Sequence, residues 1–312
     1  MKLIIQIPCY NEAQTLPITL KDLPKKIEGI DSIETLVIDD GSIDKTSSIA
    51  KANEVTHILC LPQRKGLAEA FKKGIEKSLE LGADIIVNTD ADNQYCGRDI
   101  EKLVRPVLEK KAEVVIGCRD IKAIKHFSFA KKLLQRLGSY MVRKFSGTNI
   151  PDTTSGFRAY SRDAALRLNI FSSYTYTLES IIQIGRQDIP ISHVDIRTNS
   201  KLRESRLIKS ISSYIVRSMS TILRIYLMYE PLKTFFCVGS VFACGGLLLI
   251  LRFLYFYFTV GRSGHMQSLV IAAILVIMGF GTMLLGFLGD IISANRRLNE
   301  EVLYRLKKQN LK

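Results

Sequence analysis

The sequence predicts an α/β domain on a mostly parallel central sheet, followed by interfacial amphipathic helices and two transmembrane helices. Three observations predict it. Over residues 1–118, short apolar β-rich runs alternate with amphipathic helical stretches, the pattern of a parallel sheet covered on both faces. Residues 119–150 and 207–229 interleave basic and apolar residues. Two C-terminal stretches, about Phe235–Val260 and Leu269–Ile292, are unbroken enough to cross hydrocarbon about 30 Å thick.

The expected strands are Leu3–Ile7, Thr35–Ile38, His57–Cys60, Ile85–Asn88 and Val114–Gly117, with helices near 13–28, 44–52, 66–81 and 98–110. The opening "MKLIIQIPCYNE" has too short an apolar run for a signal peptide and reads as a first buried strand. In such sheets, ligands sit beyond the carboxyl ends of the strands.

In residues 119–150, Arg119, Lys122, Lys125, Lys131, Lys132, Arg136, Arg143 and Lys144 face one acid, Asp120, among interleaved aromatic and aliphatic residues. Such a segment lies in a lipid headgroup layer; an ordinary surface helix is the alternative. Residues 207–229 repeat the pattern, and Pro231 is expected to break the chain. The basic tail after the second apolar stretch, with Lys233 and the basic N-terminal domain before the first, predicts a hairpin with both ends cytoplasmic. Arg252, inside the first stretch, reads as a snorkelling residue. The expected organisation is 1–206 catalytic domain, 207–231 juxtamembrane helices, 232–295 two-helix hairpin and 296–312 basic tail. No internal repeat or low-complexity segment is visible.

Charge narrows the partners. The 44 Lys and Arg against 30 Asp and Glu leave a net +14, which points to an acidic partner. The C-terminal hydropathy selects membrane lipid over nucleic acid. The six cysteines show no C-x-x-C spacing and no Cys/His cluster, so they read as reduced packing residues rather than zinc ligands.

Three motifs carry the chemistry. In "IIVNTDADNQY", a buried strand ends in Asp90, then Asp92, with Gln94 two further on. Alternating acids leaving a strand direct oxygen ligands into one site, which suits Mg²⁺ or Mn²⁺ together with substrate phosphates. A cation there stabilises the charge that builds on a departing diphosphate. In "IPCYNEAQTL", Pro8 and Tyr10 frame a base edge, while Asn11 and Glu12 offer polar groups or cap the next helix. In "LVIDDGSIDKT", Asp39 and Asp40 leave the second strand where an acid accepts hydrogen bonds from a nucleobase or ribose. A dinucleotide-binding fold is excluded, because the first turn "PCYNEAQT" has no glycine.

The ordered set "IPCYNE", "VIDDGSIDKT", "RKGLAEA", "TDADNQ", "DTTSGFRAY" and a late Arg-rich strand resembles family-2 glycosyltransferases of the dolichyl-phosphate mannose synthase and polyprenyl-phosphate glucosyltransferase branch. The resemblance covers about residues 1–206, and the terminal spans resemble the anchor of membrane-bound members. It implies a GT-A fold, Mg²⁺ or Mn²⁺, a nucleotide-sugar donor and inversion at the anomeric carbon. Pro8, Tyr10, Asn11, Glu12, Asp39 and Asp40 would bind the nucleotide, with Asp90 and Ala91 beside them. Asp90, Asp92 and Gln94 would hold metal and diphosphate. Arg119, Arg136 and Ser139 would meet the acceptor phosphate, and Asp152 would lie near the reacting centre with Asp92. Arg158 is either part of that site or structural, and Glu179 is either near it or in a salt bridge. The donor diphosphate would be closed over by one or more of Arg197, Lys201, Arg203 and Arg206; relatives often carry Ser-Lys where this chain has Ser205-Arg206.

The expected reaction moves a sugar from a nucleotide diphosphate, UDP-glucose or UDP-N-acetylglucosamine favoured, onto polyprenyl or dolichyl phosphate. GDP-mannose is the alternative donor, and homo-oligomers are left open. A processive polysaccharide synthase is disfavoured by the absence of tryptophan and by only two spans. A sugar nucleotidyltransferase is disfavoured by the lack of an N-terminal glycine-rich loop. A catalytically silent membrane adaptor that binds nucleotide sugars is the reading from another class.

Overall fold

The computed structural model describes residues 1–119, 140, 142–171, 176–200, 220, 223–224, 226–260 and 266–311. The chain divides into two compact units. The first comprises Met1–Ile222 with Leu303–Lys312, the second Leu223–Val302.

A seven-stranded sheet organises the first unit. Its strands are β1 (Lys2–Cys9), β2 (Ser32–Asp39), β3 (His57–Cys60), β4 (Ile85–Asn88), β5 (Val114–Arg119), β6 (Arg158–Ser161) and β7 (Ile191–Ile196), in the order β3-β2-β1-β4-β6-β5-β7. All pairs are parallel except those of β6, which runs antiparallel to both β4 and β5. The five expected strands are present. β1 and β2 extend past the expected limits at both ends, and β5 runs on to Arg119. The "DTTSGFRAY" segment turns into the sheet as β6. The late strand is Ile191–Ile196, earlier than the Arg-rich run at 195–207.

The helices around the sheet are α1 (Leu16–Asp22), α2 (Thr46–Ala52), α3 (Leu67–Glu80), α4 (Ile100–Leu108), α5 (Arg162–Arg167) and α6 (Thr177–Arg186). In α3, Ala68, Phe71, Ile75 and Leu79 are buried, the three- and four-residue spacing of one helical face. α4 buries Ile100, Leu103, Val104 and Val107 in the same way. With β1, β4 and β5 almost wholly buried, these faces form the core. Gln6 and Asn88 are polar residues inside it, so each must find a hydrogen-bond partner.

The second unit contains α7 (Pro231–Val260) and most of α8 (Met266–Asn310). Pro231 opens α7, where a missing N–H costs nothing. Both helices are long and apolar enough to cross a membrane, and only 11% and 17% of their most apolar windows are buried. Core helices of a water-soluble domain would be mostly covered. Where α7 and α8 cross, a Cβ on Gly239 would meet the Gly279 carbonyl at 2.7 Å, and a Cβ on Gly279 would meet the Gly239 carbonyl at 2.8 Å. Small residues at such a crossing let the backbones touch. The expected tail continues α8 as helix to Asn310, and Leu303–Lys312 groups with the first unit.

Candidate active site

The carboxyl ends of β2, β1 and β4 lie side by side, and the loops leaving them carry the acidic motifs. After β1, Asn11 takes a left-handed backbone conformation (φ 55°), which Asn tolerates better than most residues. Its Oδ1 accepts from Ile43 N–H and its own N–H donates to Ser42 Oγ. Glu12 donates its N–H to Thr46 Oγ1, and its carboxylate accepts from the Thr15 hydroxyl at 2.6 Å. These bonds tie the first loop to the second. Asp39 accepts from Ser42 N–H, while Asp40 accepts from the N–H groups of Lys65 and Gly66 at 2.7 and 2.8 Å. Asp40 therefore braces the loop that opens α3. Pro8 is buried in β1 beside Ile38, so its contribution is to the wall rather than to an exposed edge. Burial and the carboxylates of Glu12, Asp39 and Asp44 push the Cys9 thiol well up; like the other five cysteines it is unbridged.

Beyond β4, buried Ala91 separates Asp90 and Asp92, both partly exposed. Thr19 donates to the Ala91 carbonyl at 2.9 Å, and Gln94 N–H donates to Asp92 Oδ1 at 3.2 Å. Asn93 turns the loop at φ 53°. The "DTTSGFR" turn packs against this loop. A Cβ on Gly156 would stand 3.1 Å from Asp90 Oδ1, so only glycine lets the backbone approach the acid so closely.

Arg119, at the end of β5, completes the cluster. Its Nε and Nη2 donate to the two oxygens of Asp152 at 2.7 and 3.1 Å, and Nη2 also donates to Thr154 Oγ1 at 3.0 Å. This two-pronged pair is the geometry in which guanidinium binds carboxylate best. Asp152 is fully buried; burial alone would raise its pKa, but Arg119 holds it below the usual carboxylate range. Burial works against the Arg119 charge too, yet Tyr95, Asp152 and Asp90 together raise its pKa. Tyr95 stacks on Phe157 at 5.0 Å, accepts from Gly156 N–H, and is pushed up to about 12 by burial.

The structure thus brings Asp90, Arg119 and Asp152 together. It directs Arg197 elsewhere: the guanidinium and backbone N–H bond Asp99 at the start of α4, because β7 is the edge strand of the sheet. Arg136, Ser139, Lys201, Arg203 and Arg206 lie outside the described residues. Arg158 resolves as structural. It is fully buried and donates to the Ser155, Thr153 and Thr177 carbonyls and to Ser180 Oγ. Glu179 is also buried and accepts from Phe171 N–H at 3.1 Å. Sequence reasoning gave no role to Tyr95, Thr154 or Arg64. The guanidinium of Arg64 lies 4.2 Å from the Tyr10 ring centroid; the basic "RKG" before α3 was its available signal.

The donor set fits a hard divalent cation. Asp90 and Asp92 supply carboxylate oxygens, and the buried Asn93 Oδ1 has no hydrogen-bond partner among the described residues. No group of three His, Cys, Asp or Glu side chains positioned to hold a metal occurs among the described residues.

A mixed sheet of this order, with paired acids beyond a central parallel strand, is the frame of a GT-A-type glycosyltransferase. Residues 4–168 match the family model described as glycosyl transferase family 2, and the chain belongs to that family. An undecaprenyl-phosphate mannosyltransferase of Micrococcus luteus is 30% identical over 210 residues, covering 62% of this chain and 84% of its own. A UDP-N-acetylglucosamine–dolichyl-phosphate N-acetylglucosaminyltransferase of Methanococcus voltae is 29% identical over 216 residues, covering 62% and 83%. The fold is shared with glucosyl-3-phosphoglycerate synthase from Mycobacterium tuberculosis, crystallised with Mn²⁺, UDP and glucosyl-3-phosphoglycerate. That likeness has a TM-score of 0.53 at 19% identity and covers 71% of this chain and 79% of that one.

Proposed function

We propose that this glycosyltransferase moves a sugar from a nucleoside diphosphate, UDP-linked by preference, onto a polyprenyl phosphate at the cytoplasmic membrane surface. The observation that carries the reading is the placement of Asp90, beyond β4, against the glycine turn beside the Arg119–Asp152 pair, in a chain with two bilayer-length apolar helices. Both relatives named above act on polyprenyl-type phosphates by their names, and one uses a UDP-sugar. The mannosyltransferase relative supports a mannosyl donor as the second reading.

The acceptor sets the chemistry. A phosphate monoester is largely dianionic at neutral pH, its second pKa being about 6, so its oxygen attacks without a strong general base. The new bond joins that oxygen to the anomeric carbon. The bond from carbon to the diphosphate breaks, and the nucleoside diphosphate leaves with the electron pair. In-line displacement inverts the anomeric centre. Asp90 and Asp92 would hold Mg²⁺ or Mn²⁺, which supplies Lewis-acid stabilisation to the leaving diphosphate. The Tyr10, Asn11 and Glu12 loop and the Asp39–Asp40 loop would cradle the nucleoside. Arg119, locked in orientation by Asp152 and Thr154, keeps a fixed positive charge beside the acid pair and would counter acceptor phosphate. Arg136, Ser139 and the basic residues Lys201, Arg203 and Arg206 are proposed to add phosphate contacts, as is Gln94 at the metal. The 1–206, 207–231, 232–295 and 296–312 organisation would keep the acceptor entrance in the headgroup layer, with both termini cytoplasmic.

A panel of radiolabelled UDP- and GDP-sugars with undecaprenyl phosphate in detergent tests this reading. One UDP-sugar should give a lipid-extractable product that EDTA suppresses and Mn²⁺ or Mg²⁺ restores. Donor binding without turnover on any donor would favour a silent adaptor and overturn the proposal.

A further inference from the structure

We propose that Tyr176, at the start of α6, is a positioning residue that sets the height of the Asp90 carboxylate above the sheet; the inference rests on Asp90 holding the metal. The Tyr176 ring is fully buried and stacks on Phe71 of α3, with centroids 3.8 Å apart and planes within 3°. Stacking of that kind fixes the ring, leaving the hydroxyl in one place. There it accepts from Asn88 Nδ2 at 2.9 Å and donates to the Gly156 carbonyl at 3.4 Å. Asn88 is the last residue of β4, two before Asp90. Its Nδ2 also donates to the Gly156 carbonyl at 2.8 Å, and its Oδ1 accepts from Gln6 of β1. One buried polar network therefore ties the strand that ends at the acid to the turn that the acid rests on.

Gly156 is the contact plate. A Cβ there would lie 2.8 Å from the Tyr176 hydroxyl and 3.1 Å from Asp90 Oδ1, so the hydroxyl and the carboxylate occupy the same side of one glycine. The phenol O–H is the donor that the Gly156 carbonyl receives on this side. A neutral donor can bond the Gly156 carbonyl without repelling the carboxylate. Such supporting groups commonly change metal affinity by about 10–100-fold when removed. Replacing the phenol by phenyl leaves one Asn88 N–H on the Gly156 carbonyl and frees the other, a cost of about 1–3 kcal/mol that a fold of this size should survive.

The test is Mn²⁺ binding by the full-length protein in detergent with saturating UDP, read from the EPR signal of free Mn²⁺. Tyr176→Phe should weaken Mn²⁺ binding at least about tenfold while the protein stays folded, its thermal midpoint falling by less than about 10 °C. Phe71→Leu, which loosens the stack but keeps the hydroxyl, should lower the midpoint and weaken Mn²⁺ binding less than Tyr176→Phe does. Gly156→Ala, pressing a methyl group on both partners, should weaken Mn²⁺ binding as well, and it carries the test if Tyr176→Phe fails to fold. Wild-type Mn²⁺ affinity in a folded Tyr176→Phe, or in Gly156→Ala where Tyr176→Phe does not fold, would overturn the positioning role. Absence of Mn²⁺ binding by the wild type would instead overturn the metal reading on which it rests.

Discussion

Arg119 and Asp152 lie 33 positions apart in the chain, yet the guanidinium and carboxylate meet in a buried two-pronged pair. Removing one partner leaves the other charge buried, so Arg119→Ala should cost about 3–5 kcal/mol of stability. At about 2–4 °C per kcal/mol for a domain this size, the melting point should fall by roughly 10 °C. Loss of transfer in that variant therefore has to be read beside its melting curve. Arg119→Lys keeps charge without the fork geometry, and should raise the acceptor KM more than the donor KM. The pair also gives a pH signature. Asp152 has a folded pKa below its unfolded value of about 4. Its contribution is thus complete above about pH 4 and is lost as pH falls through the lower, folded value. Asp152→Asn should flatten this part of the acid limb in melts taken from pH 6 downward. Both residues were legible as site candidates, but their pairing was not, because it depends on β6 being inserted between β4 and β5. The motif neighbour Arg158 shows the converse: its four acceptors are backbone carbonyls and one serine brought together by the fold.

At the level of elements, β1 to β5 were legible because each holds a nearly continuous apolar run, whereas the parallel edge strand β7, "ISHVDI", does not and lies earlier than expected. β6 was not, since "RAYS" has four residues, an arginine at its start and no alternation. The antiparallel insertion matters for the site: it carries the Ser155-Gly156-Phe157 turn to the Asp90 loop. The two long helices were legible from length and hydropathy. Their starts and stops were not, because α8 continues beyond its apolar stretch through Arg296 and Glu300, which pair at 2.8 Å one turn apart. The Gly239–Gly279 crossing yields a prediction of its own. Gly279→Leu would push α7 and α8 apart where a Cβ would meet the Gly239 carbonyl, costing about 1–3 kcal/mol by overpacking. Hydrogen exchange in detergent should show faster exchange around residues 239–246, with amides of β1 and β4 unchanged.

For the whole molecule, residues 296–312 were expected as a basic cytoplasmic tail; the helix runs on through them to Asn310, and residues 303–311 belong to the first unit. Tyr304 bonds Asp163 and lies under the Arg167 guanidinium at 4.0 Å. Lys307 donates to the Leu168 carbonyl at 3.1 Å and to Asn169 Oδ1 at 3.0 Å, and Arg162 reaches the Leu311 carbonyl. Its basic composition pointed to the cytoplasmic side; the carbonyls at the end of α5 that Lys307 bonds were invisible in one dimension. Tyr304→Ala combined with Lys307→Ala should lower stability by about 2–4 kcal/mol at roughly 1–2 per lost anchor, and should expose the 303–311 segment to limited proteolysis. The central claim is that transfer takes place at the acid pair beyond β4. It is tested most directly by assaying Asp90→Ala and Asp92→Ala for sugar transfer from the nucleotide donor to undecaprenyl phosphate, with melting curves alongside. Both variants should melt near the wild type and lose on the order of a thousandfold in turnover; folded variants that retain near-normal transfer would contradict the account.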